Sequence, residues 1–207
     1  MNCKICGSSC HPAMYFDFNK NCQMIEMPKS WDVYYWQCNS CEFLFTKDLD
    51  NVDFKEVIYN DEYIKFDPDF EVKRPLDTAE YIRANYSRDM TILDYGGGTG
   101  KLSKLLRSQG YKCWSYDPFF GDAAPKKKFD MVISIEAMEH SPDPKAFIAD
   151  MLKYSTNLLV STLAFERSED LWYVSPRNGH ISIFTPTTLK LLGFKSLSKN
   201  LHTYVSN

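Results

Sequence analysis

The sequence predicts an α/β fold: a doubly wound, parallel sheet with a small cysteine-bearing module at its N-terminus. Three observations predict it. From Met90 onward short apolar strands alternate with helical segments, one of these strands runs into a glycine cluster that opens a helix, and two C-x-x-C pairs lie within the first 41 residues. A chain of 207 residues has room for one domain and a small appendage, which excludes two large domains. Hydrophobic residues at 44% and charged residues at 25% exclude a disordered or fibrous chain. No apolar run reaches the roughly 18 residues of a membrane span, and MNCKICGSSC has no basic region followed by an apolar core. We therefore expect a cytoplasmic protein with no membrane partner.

Taken in order, residues 1–46 hold Cys3-x-x-Cys6 and Cys38-x-x-Cys41 and read as short strands and turns, with VYYWQC an aromatic-rich strand. Four thiolates in two knuckles suit tetrahedral structural zinc, although the 31 residues between Cys6 and Cys38 exceed the usual spacing. Cys10, Cys22 and Cys113 are expected to be packing residues, with Cys10 and His11 as an alternative ligand pair. Residues 47–89 form an acidic connector, largely helical, that ends in the helical pattern PLDTAEYIRANY. Residues 42–71 carry ten acids against three bases. Such a block repels phosphates, so nucleic acid is not the expected partner.

Residues 90–207 carry the strands TILDY, KCWSYD, FDMVIS and NLLVST. ILDYGGGTG is a buried strand that ends in glycines and leads into the helix KLSKLLRSQ, which Gly110 stops. The spacing D-x-G-x-G-x-G from Asp94 departs from a dinucleotide fingerprint, whose last glycine would fall at Lys101. Asp117, 23 residues after Asp94, ends the second strand, where a carboxylate accepts both hydroxyls of a ribose. Asp94 would repel a pyrophosphate but suits a ligand with an ammonium and a sulfonium. These positions point to S-adenosylmethionine (SAM).

In LDYGGGTG, YDP and FDMVISIEAMEHSPDP, residues 90–207 resemble class I SAM-dependent methyltransferases. The last stretch is similar to the E-x-x-E-H-x-P-D-P segment of small-molecule enzymes related to ubiquinone O-methyltransferases. The resemblance implies a Rossmann-like sheet in which Gly96, Gly98 and Gly100 wrap the methionine part, Asp117 holds the ribose, and Pro118 and Phe119 flank the adenine. Asp94, Tyr95, Thr99 and Glu136 complete the implied cofactor-binding set. Only about a dozen residues separate Asp117 from the strand near Phe129, too few for a helix and a strand, so the third, edge strand is expected to be missing. CNSCEFLFT with YNDEY further resembles the zinc-binding N-terminal module of methyltransferases that act on nucleotide-linked sugars. In those enzymes a C-terminal domain follows the core, and this chain ends before one, which favours oxygen over carbon as the methylated atom.

A hydroxyl acceptor needs a base at the strand tips beside the methyl. Glu136, Glu139 and His140 follow FDMVIS, and in related O-methyltransferases an equivalent E-x-x-E-H can bind a divalent cation. His180, in WYVSPRNGHISIFT, is the preferred base. An Asn178-Gly179 turn would present it, with Arg177 for a phosphate or carboxylate and Trp172 and Tyr173 as an aromatic wall. The expected function is methyl transfer to a small polar acceptor, a nucleotide-linked sugar or surface-polysaccharide precursor. The rivals are an RNA or protein methyltransferase using the zinc module for recognition, and a non-catalytic SAM-binding subunit.

Overall fold

The computed structural model describes residues 1–17, 32–52, 72–120, 122–174 and 178–205. Cys22, YNDEY, Arg177 and residues 53–71 of the acidic connector therefore lie outside the described residues.

The near-continuous apolar strands β4 (Thr91–Tyr95), β6 (Met131–Ile135) and β7 (Leu158–Ser161) form the middle of the main sheet, where both faces are covered. Together with β5 (Lys112–Tyr116), β9 (Phe194–Ser196) and β10 (Leu201–Tyr204) they give the order β5-β4-β6-β7-β10-β9. The sheet is mixed: β5, β4, β6 and β7 pair in parallel, and β10 runs antiparallel to both β7 and β9. Among the described residues β5 is an edge strand, because the chain after Asp117 makes one 3-10 turn over Pro118–Phe120 and no further strand before β6. Lys127 partly covers that edge, its Nζ lying 3.0 Å from the Trp114 ring centroid.

Local sequence sets the helix ends. Helix α1 (Lys73–Asn85) buries Ala79 and Ile82, and α2 (Lys101–Ser108) starts from the left-handed Gly100 and buries Leu102 and Leu106. Helices α3 (Pro144–Leu152) and α4 (Pro186–Leu191) each carry proline in the first turn after a side-chain cap. Asp143 accepts from the Ala146 N–H, and Thr185 from the Thr188 N–H. No described helix is long and apolar enough to cross a membrane.

The N-terminal strands β1 (Cys10–Asp17), β2 (Asp32–Cys38) and β3 (Leu44–Phe45) form a second sheet, antiparallel in the order β1-β2-β3-β8. Its fourth strand, β8 (Ser182–Ile183), comes from far along the chain, with Leu44 opposite Ile183 and Phe45 opposite Ser182. One apolar cluster runs from Cys3, Phe43 and Phe45 to Leu93, Val132, Phe184 and Leu189, so the cysteine-bearing sheet and the main sheet share a core.

Candidate active site and cysteine cluster

Three glycines build the loop at the tip of β4. Gly96, Gly98 and Gly100 have φ of 73°, 53° and 71°, values a side chain disfavours. Gly97 lies outside the D-x-G-x-G-x-G spacing, yet a Cβ there would stand 2.5 Å from Ser115 Oγ and 2.7 Å from Asp94 Oδ2. Only the run of three glycines in the sequence hinted at it. At Gly98 a Cβ would meet nothing within 4 Å, so the backbone there borders open space.

Asp117 draws the loop together. Its Oδ2 accepts from the Gly98 N–H and its Oδ1 from the Phe119 N–H, each at 2.9 Å. A carboxylate has about four acceptor sites, so lone pairs remain for ligand hydroxyls. Asp94 is buried and its Oδ2 has no hydrogen-bond partner; burial, with a smaller contribution from Asp117, pushes its pKa up to about 7. An orphaned buried carboxylate oxygen beside the glycines fits a ligand that brings a positive charge. Phe119 is 62% exposed and offers a ring face beside Pro118. Thr99 is exposed, and its carbonyl accepts from Lys104 Nζ. Tyr95 differs from the expected set. Its ring is buried against Tyr116 and Phe147 and its hydroxyl donates to Asp150 Oδ2 at 2.7 Å, so it serves the core, because β4 alternates sides and the glycines begin one residue later.

A cavity of about 330 Å³ opens at the tips of β6 and β7, walled by Arg74, Asp77, Glu136, Ser161, Trp172 and Tyr173 among others. Glu136 sits there with φ of 48°, and its Oε1 accepts from Ser161 Oγ at 2.6 Å. Burial, reinforced by the neighbouring Glu139, pushes its pKa up to about 7. Glu139 is fully buried; Oε1 accepts from the Tyr173 hydroxyl at 3.0 Å, Oε2 has no hydrogen-bond partner, and burial raises its pKa.

His180 follows the expected turn at Gly179, whose φ is 68°, but its imidazole is buried behind Tyr173, with ring centroids 4.1 Å apart. Its Nδ1 lies 2.8 Å from the Tyr173 carbonyl, and burial lowers its pKa well below the usual value. The expectation that it faces the acceptor is thus altered: the bond to the Tyr173 carbonyl turns the ring inward. His140 has its Nδ1 3.0 Å from the Gly179 carbonyl and its pKa lowered by burial. The two rings are 5.1 Å apart, and ligating atoms of Glu139, His140 and His180 lie within 4.8 Å of one another. Glu139, His140 and His180 thus form one cluster that does not line the cavity.

The four cysteines converge. Their Sγ atoms lie within 4.8 Å of one another, with Cys3 to Cys41 at 3.6 Å and Cys6 to Cys38 at 3.4 Å. A tetrahedron with zinc–sulfur bonds of about 2.3 Å has edges of about 3.8 Å. Backbone N–H groups of Ile5, Ser40 and Cys41 point at the sulfurs of Cys3 and Cys38, as suits thiolates. Cys10 turns instead to the Ser8 carbonyl and His11 to Asn39, which sets that alternative pair aside.

The family model described as a methyltransferase domain matches residues 56–194, more than half of the chain. The chain therefore belongs to that methyltransferase family. Comparison with curated proteins finds no match. Among solved structures, a magnesium protoporphyrin IX methyltransferase from Synechocystis with bound SAM is 16% identical over 75% of this chain and 91% of its own, with a TM-score of 0.49. A 1,6-didemethyltoxoflavin-N1-methyltransferase from Burkholderia thailandensis is 15% identical over 73% of this chain and 82% of its own, with a TM-score of 0.47. A putative methyltransferase from an antibiotic biosynthesis pathway of Anabaena variabilis is 22% identical over 42% of this chain, TM-score 0.37, and the match spans only 45% of that protein.

Proposed function

We propose that the protein transfers the methyl group of SAM to a hydroxyl of a small polar acceptor, a nucleotide-linked sugar or another surface-polysaccharide precursor. The observation that carries the donor half is the unpartnered, buried Oδ2 of Asp94 beside the glycine loop. Asp94 compensates the ligand's positive charge, Asp117 takes the ribose hydroxyls, the backbone of Gly96, Gly98 and Gly100 borders the methionine part, and Pro118 and Phe119 flank the adenine. When bound, SAM supplies an electrophilic methyl, so the chain's own tasks are alignment and removal of a proton.

The acceptor sits in the cavity beside Glu136. Its lining of Asp77, Glu136, Ser161 and Asn200 matches a molecule rich in hydroxyls, and Trp172 gives it an aromatic face. Glu136 takes the acceptor's proton, since a carboxylate whose pKa lies near 7 is half ionised at neutral pH and still basic enough to help. Glu139, His140 and His180 form the layer behind it. Glu139 crowds Glu136 with a second buried carboxyl, and His180 holds the Tyr173 backbone at the cavity wall. The four cysteines hold one structural zinc.

Calorimetry with S-adenosylhomocysteine (SAH), followed by transfer of labelled methyl from SAM to a panel of nucleotide-linked sugars, tests this reading. SAM binding without transfer to any hydroxyl acceptor would favour the non-catalytic subunit instead.

A further inference from the structure

The cysteine-bearing sheet reaches the acceptor side of the active site through the backbone of residues 180–183. Tyr35, fully buried on β2, donates its hydroxyl to the His180 carbonyl at 2.7 Å across 145 residues of sequence. The Thr46 N–H takes the next carbonyl, that of Ile181, at 3.0 Å, and β3 pairs with Ser182 and Ile183. On its other side the same segment is tied to the turn that carries Glu139 and His140. The Ile181 N–H donates to the Glu139 carbonyl at 2.9 Å, and Ser182 Oγ donates to the Ser141 carbonyl at 2.7 Å. Residues 180–183 thus lie between the N-terminal sheet and the Glu139–Ser141 turn. The His180 side chain then fixes Tyr173, whose ring walls the cavity and whose hydroxyl meets Glu139.

We propose that Tyr35 is a positioning residue for the acceptor side of the active site, and that the N-terminal sheet exists in part to hold His180 and Tyr173 in place. The inference rests on the reading that the cavity beside Glu136 takes the acceptor. Tyr35 does not line that cavity; it acts through the His180 backbone. A buried carbonyl that loses its donor must find water or open, and the segment it belongs to loosens first. The glycine loop and Asp117 lie at the tip of β4 in the main sheet, whereas the Tyr35 hydroxyl acts on the His180 backbone, so the proposal leaves donor binding unchanged.

Tyr35→Phe tests the proposal, since it removes one oxygen and keeps the buried ring. Hydrogen exchange at Ile181, Ser182 and Ile183 is expected to quicken about tenfold, and the His180 imidazole NMR signals to shift. Exchange in β4 and β6 and the affinity for SAH should stay within about twofold of the parent. Unchanged exchange at 181–183 with unmoved His180 signals would overturn the proposal. Faster exchange spread evenly through β4 and β6, with SAH binding weakened in parallel, would overturn it too and make Tyr35 a general brace. These measurements need no acceptor, so failure to find a methylated hydroxyl would count against the reading of the cavity alone.

Discussion

Asp94 gives the donor site a proton that ligand binding should displace. Burial pushes its pKa from 3.8 up to about 7, and each pH unit of that rise is worth about 1.4 kcal/mol, so ionising it in the empty protein costs about 4 kcal/mol. The sign follows from the raised value. The native state holds this proton where the unfolded chain has lost it, so the contribution to stability is complete below about pH 4 and fades as pH rises through 7. A SAM molecule that places its positive charge against Oδ2 restores the ionised form and lowers the pKa. Binding below pH 7 must then release up to one proton, about 0.9 at pH 6, and the dissociation constant should fall nearly tenfold between pH 5 and 6 and level off above 7. Calorimetry in buffers of different ionisation enthalpy counts that proton. Asp94→Asn should bind SAM more weakly, release no proton and show a flat profile. An unchanged slope in the mutant would move the proton to another group, such as Glu136; a flat profile in the parent would refute the placement of charge at Asp94.

Asp117→Ala should weaken SAH binding at least ten- to a hundredfold, because each charge-assisted hydrogen bond is worth about 1.5–3 kcal/mol; calorimetry reads it, and unchanged affinity would remove the ribose assignment. Glu136→Gln should lower turnover about 10² to 10⁴-fold with SAM affinity nearly kept, and the parent rate should rise with pH through about 7 while the mutant's does not. Gly97→Ala should cost about 1–3 kcal/mol of stability, since its Cβ would stand 2.5 Å from Ser115 Oγ; a melting curve matching the parent's would show that the loop relaxes freely. Cys38→Ser should abolish the metal detected by elemental analysis, and a parent protein purified without chelator that holds no zinc would end that assignment.

What the sequence revealed and what it hid follow from the range of the interactions. Glycine spacing, strand-tip carboxylates and paired cysteines are local signals, and the strands, the loop at Gly96–Gly100 and the meeting of the four sulfurs were legible from them. The shortened linker after Asp117 likewise announced β5 as an edge, because chain length alone limits what can intervene. Burial is a property of the assembled fold. Tyr95 looks the same in the sequence whether it faces the ligand or the core, and only the packing of Phe147 and Tyr116 against it decides. His180 shows the same limit: the Asn-Gly turn was readable, but the inward rotation of the ring depends on the Tyr173 carbonyl, which only the fold brings against it. Glu136 owes its raised pKa first to burial and then to Glu139, a neighbour three residues along, and both arise only in the assembled fold, where the 3-10 turn over Met138–His140 folds the second carboxyl back into a dry interior. The acidic groups were therefore visible in the sequence, while which of them stands at the cavity wall is set by the fold.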